Sequence, residues 1–164
     1  MIIEATIAYL SRQIDAGAEV VQLFDTWANA LSETAFARWC IEPTQRIVGA
    51  LRETYPNVPV IGFPRGVGVA LIDYAARTGV QGIGLDSAVP AAWARQEIQR
   101  QCTVQGNLDP LMLVAGGTAM TNEVRRITAV LKNGPFVFNL GHGILPHTPP
   151  DHVAELVAAV RSVG

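Results

Sequence analysis

Nowhere in the 164 residues does an apolar run approach the ~20 needed for a membrane-spanning helix. Charge is sparse and nearly balanced, with 12 Lys and Arg against 14 Asp and Glu, a net charge of −2. That balance supplies no field to draw the chain to nucleic acid or to an anionic membrane. It leaves room for a local basic pocket facing an acidic ligand. Only two cysteines occur, Cys40 and Cys102, and neither belongs to a CxxC pair. Two reduced, largely buried thiols in a cytosolic protein are the expectation. No secretory leader is legible, since Glu4, Arg12 and Asp15 follow the apolar start at once. The expected location is therefore the cytoplasm. Linkers, low-complexity tracts and charge runs are also lacking, so residues 1–164 read as one domain. Gly66 and Gly68 hint at a phosphate loop, but neither a Gly-Lys-Ser/Thr nor a full dinucleotide fingerprint surrounds them.

What is present is apolar and periodic. Hydrophobic residues make up 49% of the chain, enough for a buried core. Short bursts rich in β-branched and aromatic residues occur at 20–24, 60–63, 82–85, 103–105 and 136–140. Nearly continuous apolar runs of this kind read as strands buried on both faces. Between them, 2–14, 36–51, 70–77, 91–98, 124–131 and 152–160 carry apolar residues at helical spacing. Gly17 and Gly79 sit where helices would end. Thr121-Asn122-Glu123 and Pro149-Pro150-Asp151 read as helix starts. Trp27, Trp39 and Trp93 are read as packing residues.

Strands alternating with helices imply an α/β fold of parallel β/α units. An open doubly wound sheet and a barrel compete. A barrel needs eight units and ~250 residues. Five units, beginning on a helix, are expected to form part of a TIM-type barrel whose front is absent.

Each burst ends in polar residues: Asp25-Thr26-Trp27, Pro64-Arg65-Gly66, Asp86-Ser87, Asn107-Leu108-Asp109-Pro110, and Asn139-Leu140-Gly141-His142-Gly143. Ligands bind at the carboxyl ends of parallel strands, so these ends are the expected site. His142, between two glycines, can donate hydrogen bonds to a carboxylate. Arg65 either pairs with an anionic substrate or forms a surface salt bridge. Asp86 and Asp109 either act as acids or bases or, the favoured reading, cap helices and anchor loops. The five-residue intervals of His142, His147 and His152, broken by prolines, do not suit a metal site.

At these strand ends the sequence resembles the uroporphyrinogen decarboxylase family. The resemblance is carried by Gly17 to Trp27, by Gly84-Leu85-Asp86, by Gly106-Asn107-Leu108-Asp109-Pro110, and by Asn139-Leu140-Gly141-His142-Gly143-Ile144 with Pro146, Thr148 and Pro149. It runs from about Ala5 to Val160. It implies a single β/α barrel, commonly a homodimer, that removes four acetate carboxyls from uroporphyrinogen III without metal or organic cofactor. It implies that Thr26 and His142 contact substrate and that Phe24 lines the cleft. No residue of this chain is assigned a catalytic role. The family's arginines, central aspartate and tyrosine precede the matching segment, so the chain alone is expected to be inactive or weakly active. A truncated relative that binds tetrapyrrole without turnover is the alternative. A zinc-dependent corrinoid methyltransferase of the same fold is disfavoured, because Gly62 to Gly66 offers no His-x-Cys pair and Cys102 begins its strand.

Overall fold

The computed structural model describes residues 1–163. Five strands alternate with helices. They are β1 (Val21–Asp25), β2 (Val60–Pro64), β3 (Gly82–Gly84), β4 (Thr103–Leu108) and β5 (Phe136–Leu140). The helices are α1 (Ile2–Asp15), α2 (Glu33–Phe36), α3 (Glu42–Thr54), α4 (Leu71–Thr78), α5 (Ala91–Glu97), α6 (Pro110–Ala115), α7 (Gly117–Leu131) and α8 (Pro150–Val163). The chain divides into two compact units, Met1–Ile83 and the remainder from Gly84, with the boundary inside β3.

In the first unit β1 and β2 pair in parallel from Val21↔Val60 to Asp25↔Pro64, and β2 pairs with the start of β3 at Ile61↔Gly82 and Gly62↔Ile83. Residues at i and i+2 share a strand face. On one face of β2, Gly62 lies against Tyr74 of α4, and a Cβ there would overlap the tyrosine hydroxyl. On the other, Phe63 meets Phe24 of β1 edge to face, with ring centroids 6.0 Å apart. Helix α3 buries Thr44, Ile47, Val48 and Leu51, one stripe at helical spacing. A wide-turn segment, Ala37–Ile41, joins α2 to α3. Pro43 explains it: proline lacks an amide donor and crowds the carbonyl four residues back, and the widened turn relieves both. Helix α4 ends on Gly79 at φ 74°, and the Gly79 carbonyl accepts a bond from Arg52 Nη2 at 2.5 Å.

In the second unit β4 and β5 pair in parallel from Val104↔Phe136 to Leu108↔Leu140. The Leu85 amide donates to the Gln105 carbonyl at 2.7 Å. Helix α7 buries Met120, Val124, Ile127, Thr128 and Leu131. Buried Gln99 donates through Nε2 to the carbonyls of Leu131 at 2.7 Å and Pro135 at 3.1 Å, tying the end of α7 to the start of β5. His152 Nδ1 lies 3.0 Å from the Leu113 carbonyl and 3.1 Å from that of Val114, so this ring anchors α8 to the end of α6.

Several sequence expectations change. Thr121-Asn122-Glu123 lies inside α7, which begins at Gly117, and only Pro149-Pro150-Asp151 marks a true start. Helix α6 was not anticipated: it has only six residues, too few to display a period, although Asp109 and Pro110 are its cap and first turn. Trp27 and Trp39 are exposed, and Arg38 lies over the Trp39 ring at 4.8 Å. Burial on both faces holds for β2 and β3, but Phe24 of β1 is 70% exposed and Val137 of β5 is 46% exposed.

Both cysteines are free. Burial first, then the nearby Asp25 carboxylate, pushes the Cys40 thiol well up. Burial raises Cys102 from 9.0 to about 11. The thiolate is the nucleophile, so alkylation by iodoacetamide at pH 8 is expected to be at least roughly tenfold slower for the native chain than for the urea-unfolded one. Equal rates would contradict this placement. A thiol that stays protonated in the folded state stabilises it fully below the unfolded pKa. For Cys102 that contribution is lost as pH rises from 9.0 through about 11, so the thermal midpoint is expected to fall across this interval and to fall less in Cys102→Ala.

Candidate functional site

The first unit places Phe24, Thr26 and Arg65 around the carboxyl ends of β1 and β2. Phe24 stands out from the strand against Phe63. Thr26 follows directly in the turn and is half-buried. Arg65, also half-buried, has its amide bonded to the Asp25 carbonyl at 3.0 Å. The β1–β2 ladder thus extends one step beyond the strands. Thr26 and Arg65 follow the Phe24–Phe63 pair at the ends of β1 and β2, and a hydroxyl and a guanidinium are both able to bind acidic groups. Beside them, the segments that follow β1 and β2 line a groove of about 850 Å³ with Asn29, Phe36, Gly66 and Val67, and the Arg77–Asp73 ion pair (2.9 Å) of α4 is in its wall. Sequence reading gave no sign of this groove, because its lining is gathered from short helical turns and α2 and α4, segments far apart in sequence.

The second unit places Asp86, Asn107, Asp109 and His142 at the ends of β3, β4 and β5. Asp86 is buried, and its Oδ1 accepts from the Ala88 amide at 2.9 Å. Asp109 Oδ1 accepts from the Leu111 amide at 2.9 Å and caps α6. Both aspartates therefore anchor loops, the reading favoured from sequence. Asn107 is the member whose role sequence reasoning missed. It is buried and donates through Nδ2 to the carbonyls of Asp86 (2.9 Å) and Val89 (2.7 Å). The Gly141 amide donates to the Leu108 carbonyl at 2.8 Å. A Cβ on Gly141 would overlap the Ser87 backbone, coming within 2.8 Å of its Cα. The ends of β3, β4 and β5 are thereby drawn close, and His142 leaves this junction exposed to solvent. Among the described residues no group of three His, Cys, Asp or Glu side chains is placed to hold a metal ion, and no helix is long and apolar enough to cross a membrane.

Comparison with known proteins decides the family. The family model described as uroporphyrinogen decarboxylase (URO-D) matches residues 1–163. This chain belongs to the uroporphyrinogen decarboxylase family. A uroporphyrinogen decarboxylase of Rhodospirillum rubrum is 57% identical over 162 residues, which is 99% of this chain and 47% of the relative. One from Granulibacter bethesdensis is 52% identical over 160 residues, 98% of this chain and 47% of the relative. The chain thus spans about half the length of these relatives. Among solved structures, a methyltransferase from Methanosarcina mazei superposes with a TM-score of 0.80 at 23% identity, covering 98% of this chain and 47% of that one. At that identity the likeness speaks for the fold alone. The chain is part of a TIM-type barrel, five parallel strands alternating with helices.

Proposed function

We propose that the chain supplies the C-terminal five β/α units of a single uroporphyrinogen decarboxylase barrel domain. The reaction would convert uroporphyrinogen III to coproporphyrinogen III by loss of four acetate carboxyls as CO2. The observation that carries this reading is the identity of 57% over 99% of the chain to a protein of that name, which includes the strand ends described above. The chemistry is consistent with those ends. Protonation of a pyrrole ring carbon makes the ring an electron sink. The pair of the breaking C–C bond flows into the ring as CO2 departs. A proton added to the exocyclic carbon gives the methyl group, and loss of the ring proton restores the pyrrole. Each cycle consumes one proton overall. A protein aids this by fixing the other carboxylates and by stabilising positive charge on the ring.

In this reading Thr26 and His142 bind substrate carboxylates, Phe24 lines the cleft, and no residue of this chain is given the essential proton. Neither metal nor organic cofactor takes part. The protein is cytoplasmic and dimeric in this proposal, with the tetrapyrrole as its partner rather than nucleic acid or membrane. The chain alone is proposed to be inactive or weakly active, because its relatives are about twice as long.

The test is anaerobic incubation with uroporphyrinogen III, with products separated by carboxyl number. The expected result is little product from the chain alone and hepta- to tetra-carboxyl products when the N-terminal half of a relative is supplied. Thr26→Ala and His142→Ala are expected to lower the restored kcat/KM about tenfold each, the size of one charge-assisted hydrogen bond. Full activity of the chain by itself would refute the incomplete-barrel reading. Porphyrin binding that never yields turnover, even with the missing half supplied, would favour a non-catalytic tetrapyrrole binder.

A further inference from the structure

We propose that Arg65 grips a carboxylate of the ligand beside Thr26; this deepens the tetrapyrrole reading above and rests on it. In the parallel register Asp25 is opposite Pro64, so Thr26 and Arg65 are the next residues along the two strands. The bond from the Arg65 amide to the Asp25 carbonyl, 3.0 Å, holds them in that relation. The following residue reinforces it. Gly66 has φ +74°, and a Cβ there would come within 2.9 Å of Asn29 Cβ. The turns after β1 and β2 are thus in close contact, and a larger residue at 66 would force them apart.

The electrostatics point the same way. Arg46, Arg77 and Arg126 each have a carboxylate partner, and Arg38 lies over Trp39. Arg65 is half-buried, yet no ion pair to it exists among the described residues. The surface salt bridge that the sequence left open is therefore not what the arginine makes. An arginine without a carboxylate partner in the fold can pair with an anion that arrives with the ligand. Phe63, two residues before Arg65 and so on the same strand face, is buried edge to face against Phe24. A polycarboxylate with a flat apolar body would lay its body on the rings and an acidic edge across Thr26 and Arg65. The planar fork of arginine matches a carboxylate through two parallel hydrogen bonds, which lysine cannot reproduce.

The test is fluorescence titration of the purified chain, together with the N-terminal half of a relative, with uroporphyrin, the stable oxidised octacarboxylate, across a range of salt concentrations. Arg65→Gln is expected to weaken binding about tenfold and to flatten its dependence on salt. Arg65→Lys is expected to recover part of the affinity and the full salt dependence. Arg38→Gln, which removes an arginine elsewhere in the same unit, is expected to bind as the parent does. Thermal melting of each variant reports its fold; should the glutamine variant melt early, the lysine variant decides, by weaker binding at unchanged salt dependence. Parent-like binding by a folded Arg65→Gln chain would overturn the role of Arg65 and leave the tetrapyrrole reading intact. Failure of the parent chain to bind uroporphyrin even with the N-terminal half of a relative supplied would overturn both.

Discussion

Asn107→Asp is expected to destabilise the chain by about 3–5 kcal/mol, a loss on the scale of breaking a buried charged network. The wild-type amide places two N–H donors against two carbonyls, Asp86 at 2.9 Å and Val89 at 2.7 Å, at a position 5% exposed. Aspartate has the same shape and the opposite polarity. If ionised, it sets a buried negative charge against two carbonyl oxygens. If protonated, it satisfies one carbonyl and leaves the other bare. Asn107→Leu separates the two costs, since it removes both donors without adding a charge. It is expected to lose about 1–3 kcal/mol. Urea unfolding followed by circular dichroism measures both. At slopes of roughly 1–3 kcal/mol per molar, the aspartate variant should unfold at least about 1 M earlier than the parent and clearly before the leucine variant. Coincident midpoints for the two variants would show that the donors at this position are not what holds the strand ends.

The same residue marks how far the sequence could be read. The alternation of apolar bursts with helical stretches was enough for parallel β/α units, because strands buried between helices and helices buried on one stripe have different periods. The strand ends were legible because polar residues follow each burst. Asn107 was visible there as one polar residue among several, with nothing in its spacing to say that it looks inward. Its role depends on the path of Asp86 to Val89, about twenty residues away, and long-range geometry of that kind leaves no local pattern. Asp109 is the contrasting case. It caps a helix that starts at the next residue, and Asp followed by Pro announces that locally. Arg65 lies between the two. Its charge was plain from sequence, but the choice between salt bridge and ligand contact turned on which carboxylates the fold brings near. The exposed Trp27 and Trp39 fail for the same reason. Size and apolarity favour burial only on average, and the face of a turn or helix that a tryptophan occupies is a tertiary matter.

Gly62→Ala carries the second large effect, and it tests how β2 sits on α4. A methyl group at position 62 would overlap the Tyr74 hydroxyl and lie 2.6 Å from Cε1 and 2.9 Å from Cζ. An exposed side chain would swing away at small cost. Tyr74 cannot, because it is 2% exposed, its ring lies beside Phe36 with centroids 6.2 Å apart, and its hydroxyl donates to Thr44 Oγ1 at 3.4 Å. The strand would have to lift off the helix, yet β2 is paired on both sides, to β1 and to β3. Overpacking of this kind costs about 2–3 kcal/mol. If the overlap is the cause, the cost must depend on the tyrosine. Tyr74→Leu alone loses ring contacts, about 1–3 kcal/mol, and opens space above Gly62. In the double variant the new methyl enters that space, so the combined loss is expected to fall short of the sum by at least about 1 kcal/mol. A double-mutant cycle in urea reads this directly. Simple additivity would mean that the strain of Gly62→Ala arises in the strand itself, and that the strand-to-helix distance in this unit is set by something other than the glycine–tyrosine contact.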